Sequence, residues 1–503
     1  MLINKVKKIL IFGGGTSGWL TAAYLVKNLT IPCEILLIES TIMGPIGVGE
    51  GTQPATARFL YDCGIDPLTW MKPSQASFKL GVEFVGWTRD KYFVDNDFIE
   101  NTLIAPNLFT TDYFISQDKN NFYDWLPAYQ MAKENKSPKL AGMDTNYAQS
   151  GERNWGAVHF NALQIVESLK NIIGNKIEYA DTKIVSIEQN ENGITALIDE
   201  NGIKFTGDLY LDCSGFKARL INETLGVEFE SITDILPNDK AVVMPTQYTD
   251  PEKECFPYTR STAMNSGWKF TIPIFTRVGN GYVYSSKFIT KEDAEAELRN
   301  SLNEYEAKAN HLEMRCGINR AIAHKNVCAI GLSAGFVEPL EATGITFTTK
   351  AVEMLCTALN TTQGIWSNPI KNEINKVYTD MFWEIVSFVW AHYHFSTKND
   401  TPYWQSIRCQ TSDMVPKRVS NIVEKFYPLP GRHFFLNPTS SFHIGHWFSV
   451  LHAGDAYKNV DYKIDGEVKK YAEYFIKNNQ HRINLVKEMF PNHYEFLNEW
   501  YNA

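Results

Sequence analysis

Two charged side chains, far apart in the chain, carry the most reactive chemistry this sequence offers. In the run from Phe336 to Ile345, which reads Phe-Val-Glu-Pro-Leu-Glu-Ala-Thr-Gly-Ile, Glu341 stands two residues before Thr343 and Gly344. A carboxylate at a helix entry can be a structural acid stabilised by the helix dipole. It can equally orient an electrophile and take up a proton. The backbone N–H groups of Thr343 and Gly344 at the same entry form a nest for a small anion. Lys79 lies among bulky apolar neighbours in a strand-like segment. Its ordinary role there is a solvated strand lysine, or a partner for Glu83 on the same face; beside a carboxylate it can polarise an electrophile.

These groups must be positioned by a framework, and its clearest element is at the start of the chain. The apolar run Lys8 to Phe12 ends in Gly13-Gly14-Gly15-Thr16-Ser17-Gly18, and an amphipathic pattern follows from Ser17 to Leu29. Glu34 to Ile38 reads as a second buried strand ending in Glu39, 21 residues past Gly18. Strand, glycine turn, helix and a strand-end acid are the parts of a βαβ unit in which Gly13, Gly15 and Gly18 let the backbone turn and approach a pyrophosphate. Thr16 and Ser17 open the helix, and the acid takes ribose hydroxyls. A lone glycine turn would be no more than a strand-to-helix connection; the frame and Glu39 favour nucleotide binding.

A second glycine-rich loop, Gly47 to Thr52 and including Gly49, precedes a helical pattern to Cys63. From Phe78 to Gly86 the residues alternate, with Phe78, Leu80, Val82 and Phe84 on one face and Lys79, Gly81, Glu83 and Val85 on the other. The stretch from 90 to 154 is aromatic and loop-rich. A helix is expected from His159 to Ile173, then strands near 176–180, 183–188, 194–198 and 209–212, the last closed by Cys213-Ser214-Gly215. The 240–290 region alternates around aromatics, a buried strand runs from Asn326 to Gly331, and a helix from Thr346 to Leu359. Beyond Asn368 the pattern is mainly helical. Nucleotide-binding pieces recur at 8–39, 207–215 and 326–345, so one interleaved core with insertions is expected; a second glycine fingerprint for a nicotinamide cofactor is absent.

The 503 residues are 44% hydrophobic and 21% charged, with a formal charge of -9. No basic block suggests a nucleic-acid surface. The eight cysteines have no metal-like spacing and predict a reduced, cytoplasmic protein without a metal. No apolar run reaches the roughly 20 residues needed to span a bilayer, and the N-terminal segment leaves no room for a signal peptide.

Taken together, the Pro-Leu-Glu-x-Thr-Gly string, the Lys79-Leu80-Gly81 segment and the run from Gly267 to Pro273 (Gly-Trp-Lys-Phe-Thr-Ile-Pro) resemble the flavin-dependent halogenases, and tryptophan halogenases in particular. The resemblance implies an α/β fold: an FAD-binding, Rossmann-like core of the flavin monooxygenase type over 1–360, with β-rich substrate-side insertions at about 87–155 and 225–320. A mainly helical region over 361–503 would cover the substrate. It implies a two-component enzyme using FAD reduced by a separate flavin reductase, O2 and a halide ion. Hypohalous acid made at the flavin would pass to Lys79, with Glu341 orienting it and taking the proton from a small, electron-rich aromatic substrate, indole-like or phenolic. FAD contacts would come from Gly13, Gly15, Thr16, Ser17, Gly18, Glu39, Gly49, Leu332 and Ile345, and halide contacts from Thr343 and Gly344. Trp268, Phe270, Ile272 and Pro273 would wall the oxidant's route and keep substrate from flavin.

Two positions depart from that family's patterns. Ala342 replaces the Ser of Phe-x-x-Pro-x-x-Ser-x-Gly, which removes a hydroxyl linking flavin and substrate sides. Phe270 replaces the second Trp of Gly-Trp-x-Trp-x-Ile-Pro and keeps the wall apolar. The rival readings are a single-component flavin hydroxylase, which would oxidise NAD(P)H unaided, and a catalytically silent FAD-binding protein.

Overall fold

The structure, a computed structural model, describes residues 5–41, 50–89, 91–96, 127–137, 156–409, 444–454 and 490–503, with isolated positions from 417 to 488. Two compact units emerge, each built from three stretches of chain. Met1–Gln75, Phe160–Thr233 and Met314–Phe382 make the first; Ala76–His159, Asp234–Glu313 and Trp383–Ala503 make the second.

The first unit is organised by a sheet of six strands among the described residues. Their order is Ala323–His324, Val327–Ala329, Leu209–Asp212, Lys8–Phe12, Glu34–Glu39 and Glu178–Asp181. All neighbours are parallel except the first pair. Strands covered on both faces need continuous apolar runs, and Ile9, Leu10 and Ile11 are fully buried. The helix Thr16–Asn28 packs against the helices Ala162–Ile173 and Gly344–Thr361. The last of these buries Phe347, Ala351, Leu355 and Leu359, the stripe expected of a helix laid along a core.

The helix expected from His159 begins later, at Ala162. Asn161 is its N-cap and accepts the Leu163 N–H at 3.2 Å, so the backbone before it stays extended. His159 belongs instead to the strand Ala157–Phe160.

Among the described residues the second unit holds a seven-stranded sheet in the order Asn310–Glu313, Lys240–Thr246, Arg277–Tyr284, Gly267–Ile274, Thr259–Met264, Gly81–Val85 and Tyr92–Asp95. Pairing is antiparallel except between Thr259–Met264 and Gly81–Val85. The helix Lys291–Leu302 sets Ala294 and Leu298 on Val242, Met244, Tyr282 and Tyr284.

The alternating segment from Phe78 to Gly86 is two strands, not one. Ser77–Lys79 pairs with Ala157–Phe160, and Gly81–Val85 joins the seven-stranded sheet. The switch falls at Leu80, whose N–H donates to Pro257 O at 2.7 Å and whose carbonyl accepts from Asn96 N at 2.9 Å. Gly81 permits it, since a Cβ there would lie 2.5 Å from the Phe93 ring. Of the aromatic 90–154 stretch, Tyr92–Asp95 and Pro127–Lys133 are described elements; most of the remainder lies outside the described residues.

Candidate active site

In the first unit the glycine loop has the shape its spacing predicts. Gly13 adopts φ +119°, and a Cβ there would lie 2.3 Å from the Cys213 carbonyl oxygen; a Cβ on Gly18 would lie 1.9 Å from the Gly13 oxygen. Both must be glycine. At Gly15 a Cβ would meet nothing within 4 Å, and the same holds at Gly215, where φ is +71°. The loop is therefore jammed against the sheet at Gly13 and Gly18 and open at Gly15, directly before the helix Thr16–Asn28, which no side chain caps. Free first-turn N–H groups beside open space fit the pyrophosphate of FAD.

Asp212, at the end of the central neighbour strand, is fully buried. Its two oxygens accept from Ser214 N, Ser214 Oγ, Leu220 N and Ile221 N at 2.6–3.1 Å. It shapes the turn that carries Gly215. Glu39 closes over Gly14, where a Cβ would lie 1.7 Å from Glu39 Oε2. It accepts from Tyr179 Oη at 2.7 Å, Lys170 Nζ at 2.9 Å and Trp19 Nε1 at 3.4 Å. Lys170 and Tyr179 are partners that sequence spacing gave no sign of. Gly49 lies outside the described residues.

The downstream segment meets this loop. Gly331 has φ +68°, and a Cβ there would lie 2.1 Å from Ser17 Oγ. Ser17 Oγ is itself 3.0 Å from Thr348 Oγ1 in the helix Gly344–Thr361. Leu332 sits in the short turn Gly331–Ser333 and Ile345 in the first turn of that helix. Glu341 does not belong to the helix. It ends the short 3₁₀ turn Pro339–Glu341, and its helix has no acid in the first turn. Ala342 between them adopts φ +54°, the left-handed conformation that a side chain disfavours. Glu341 is 3% exposed. Thr343 is wholly buried, and its Oγ1 has no hydrogen-bond partner among the described residues. A buried hydroxyl donor beside an uncapped helix start fits a bound anion.

In the second unit Lys79 is 1% exposed. Glu83, the local partner considered for it, is taken by Lys91 and Arg260, each at 2.7 Å. The lysine's strand is tied to the wall strand through one carbonyl. Ser77 Oγ donates to Pro273 O at 2.5 Å, and His159 Nδ1 lies 3.0 Å from the same oxygen. A carbonyl only accepts, so His159 carries its proton on Nδ1, and Nε2 accepts from Thr259 Oγ1 at 2.8 Å. Burial, and next the charge of Lys79, hold His159 well below its ordinary pKa. His493 is fixed in the same way: Nδ1 donates to Cys255 O at 2.8 Å and Nε2 accepts from Phe78 N at 3.2 Å, and burial lowers it to about 4. Two neutral histidines therefore flank the lysine strand.

Trp268, Phe270, Ile272 and Pro273 are all buried along Gly267–Ile274. The Phe270 ring lies over Gly281 of the neighbouring strand, where a Cβ would come within 2.2 Å of it. Trp404, Tyr393 and Trp87 pack as a buried aromatic cluster, with ring centroids 5.0–5.7 Å apart and the Trp404 indole donating to Met264 O at 2.8 Å. The C-terminal members, Tyr393 and Trp404, are core.

The family model described as tryptophan halogenase matches residues 8–464. The chain is 30% identical over 442 residues to tryptophan 6-halogenase SttH of Streptomyces toxytricini, covering 83% of each chain. It is 32% identical over 430 residues to tryptophan 7-halogenase RebH of Lentzea aerocolonigenes, covering 80% of this chain and 79% of that one. The crystal structure of a tryptophan halogenase from Shewanella frigidimarina superposes with a TM-score of 0.90 at 25% identity, covering 100% and 99% of the two chains. Xcc4156, a flavin-dependent halogenase from Xanthomonas campestris, gives 0.86 at 27% identity, covering 99% and 98%. A glycine cradle open at Gly15 before an uncapped helix, a second uncapped helix behind Glu341 and a match that runs nearly the length of the chain lead to one conclusion: this protein belongs to the tryptophan halogenase family of flavin-dependent halogenases.

Proposed function

We propose that this enzyme halogenates a small, electron-rich aromatic compound, an indole or a phenol, using Lys79 and Glu341 as its catalytic residues. When bound, reduced FAD with O2 supplies the oxidising equivalent that converts halide to hypohalous acid. The cradle residues Gly13, Gly15, Thr16, Ser17 and Gly18 hold the pyrophosphate, Glu39 takes the ribose hydroxyls, and Gly49, Leu332 and Ile345 complete the flavin site. Thr343 and Gly344 hold the halide through their N–H groups.

Lys79 receives the oxidant by hydrogen bonding or as a haloamine, and Glu341 orients it and accepts the proton released by the ring. Trp268, Phe270, Ile272 and Pro273 keep the route dry. Fixed geometry of this kind confers regioselectivity, because near-attack alignment is worth about 7 kcal/mol or more. The relatives named for their action on tryptophan support an indole ring. A separate flavin reductase supplies the reduced cofactor, and the reduced cysteines suit a cytoplasmic setting.

One observation carries this reading above the others: Lys79 is a lysine buried to 1% exposure, in a strand anchored through Ser77 to the same Pro273 carbonyl that ends the wall. A solvated strand lysine has neither property. The test is incubation of the protein with FAD, NADH, a generic flavin reductase and O2 against a panel of indoles and phenols, in bromide and in chloride, with products read by mass spectrometry. A halogen isotope pattern that disappears in Lys79→Ala, while flavin binding and hypohalous acid formation persist, is the expected result. Retained halogenation in that variant removes Lys79 from the mechanism, and a product heavier by one oxygen regardless of halide favours the hydroxylase.

A further inference from the structure

The turn that carries Glu341, Thr343 and Gly344 is held at both ends by one distant side chain. Gln53 Nε2 donates to the Glu341 carbonyl at 3.2 Å, and Gln53 Oε1 accepts from Thr346 Oγ1 at 2.9 Å. The amide orientation follows from its partners, since the Glu341 carbonyl can only accept and the hydroxyl then donates to the oxygen. Gln53 precedes the helix Pro54–Asp62 and directs its side chain away from it, leaving that helix without a side-chain cap. It spends its amide on residues 288 and 293 positions away.

The bracketed turn has an unfavourable backbone conformation at its centre. Ala342, at its centre, has φ +54° without being glycine, a conformation that persists where surrounding contacts over-determine it. Among the described residues, the backbone bonds local to it include Ala342 N to Pro339 O at 3.1 Å and Phe347 N to Thr343 O at 3.0 Å. Neither spans the turn from one end to the other; the Gln53 amide does, joining residue 341 to residue 346. The direction of the Thr343 and Gly344 N–H groups is set between those two points.

We propose that Gln53 is the positioning residue of the halide nest: it fixes the 341–346 turn so that both N–H groups converge on one anion, and so sets the enzyme's affinity for halide. This rests on the assignment of Thr343 and Gly344 as halide contacts. Gln53 touches neither halide nor flavin in this role. A leucine in its place leaves the turn without its cross-brace. A glutamate leaves the Thr346 bond possible but opposes the Glu341 carbonyl with a carboxylate and adds negative charge near an anion site, so it harms halide binding more than leucine does.

The experiment compares wild type, Gln53→Leu, Gln53→Glu and Thr346→Val as full-length protein with FAD and reductase. The KM for bromide, the KM for the aromatic substrate, FAD affinity by fluorescence quenching and thermal midpoint are measured. Bromide occupancy at Thr343 and Gly344 is read by anomalous diffraction from crystals soaked below saturation. The expected result is a rise in bromide KM of about tenfold for Gln53→Leu and more for Gln53→Glu. Thr346→Val should show a smaller rise, with aromatic KM and midpoint unchanged, FAD affinity moving far less than bromide KM although Ile345 shares the turn, and anomalous peaks weakened in step. If Gln53→Leu does not fold, Thr346→Val carries the test alone. Bromide at the nest in wild type with an unaltered bromide KM in the variants overturns the role of Gln53. No bromide at the nest in wild type overturns the halide assignment itself, and the two failures are thereby separate.

Discussion

His159 and Pro273 are joined by a 3.0 Å hydrogen bond from the imidazole Nδ1 to the proline carbonyl; burial disfavours the charged ring, and this bond then selects the Nδ1–H tautomer two residues along the strand pairing from Lys79, which lies opposite Ala157. A second neutral imidazole, His493, holds the Phe78 N–H next to the lysine. Both histidines have folded pKa values below their unfolded ones. The unfolded chain then binds more protons as pH falls below about 6.5, so their contribution to stability is complete above that pH and is lost on acidification. For His493, lowered to about 4, the loss between about pH 6.5 and 4 is about 3 kcal/mol. Thermal melts across that range should show His493→Gln flattening the acid slope, because Gln keeps a donor for Cys255 and an acceptor for Phe78. An unchanged slope would show that His493 is not the titrating group.

The two glycines of the cradle should separate folding from cofactor binding. Gly13→Ala drives a Cβ to 2.3 Å from Cys213 O at φ +119°, so it lowers the melting temperature and abolishes FAD titration together. Gly15→Ala meets no protein atom within 4 Å and keeps an ordinary φ of -74°, so the fold survives while the new methyl enters the space proposed for the pyrophosphate. Normal FAD affinity in Gly15→Ala would remove the phosphates from that opening.

Glu341→Gln preserves shape and removes the carboxylate proposed to accept the proton. Halogenation should fall about 100-fold or more with little change in the melting temperature. A collapsed melting temperature would instead make Glu341 a structural acid.

Phe270 depends on Gly281 for its room. Gly281→Ala brings a methyl to 2.2 Å from the ring and should cost about 1–3 kcal/mol through overpacking, read from chemical denaturation. The double variant Gly281→Ala with Phe270→Leu should recover part of that loss, and an additive result would show that the two positions do not share the space.

Ala342→Gly should raise stability by about 0.5–1 kcal/mol by releasing the left-handed strain at φ +54°. Differential scanning calorimetry would detect it. A loss of stability would mean that the alanine methyl contributes more in contact than the backbone costs.

Much of this was readable from the chain itself, and the rest was not for identifiable reasons. The strand, glycine turn, helix and Glu39 were visible because each is a local pattern. The helix expected from His159 starts at Ala162 because Asn161, followed three residues later by Gln164, is a capping signature; apolar periodicity alone does not mark that start. The alternation from Phe78 to Gly86 cannot reveal that Leu80 changes partners, since both strands share the same period of two. Lys170 and Tyr179 on Glu39, and Gln53 on Glu341, are polar contacts between residues more than 130 positions apart. No spacing rule links such positions, and a single sequence holds no trace of them.

The strand order of the first unit has a bearing on how the chain comes off the ribosome. Leu209–Asp212 pairs on one side with Lys8–Phe12, made long before it, but on the other with Val327–Ala329, more than 110 residues later. Throughout that interval the Leu209–Asp212 edge, whose Leu209, Tyr210 and Leu211 are wholly buried in the finished fold, stands open to pairing with another chain. Sheets closed by such distant strands assemble slowly and expose sticky edges meanwhile. Nascent chains halted before about residue 330 are therefore the species expected to aggregate or to recruit chaperones, and slower translation or lower temperature during expression should raise the soluble yield.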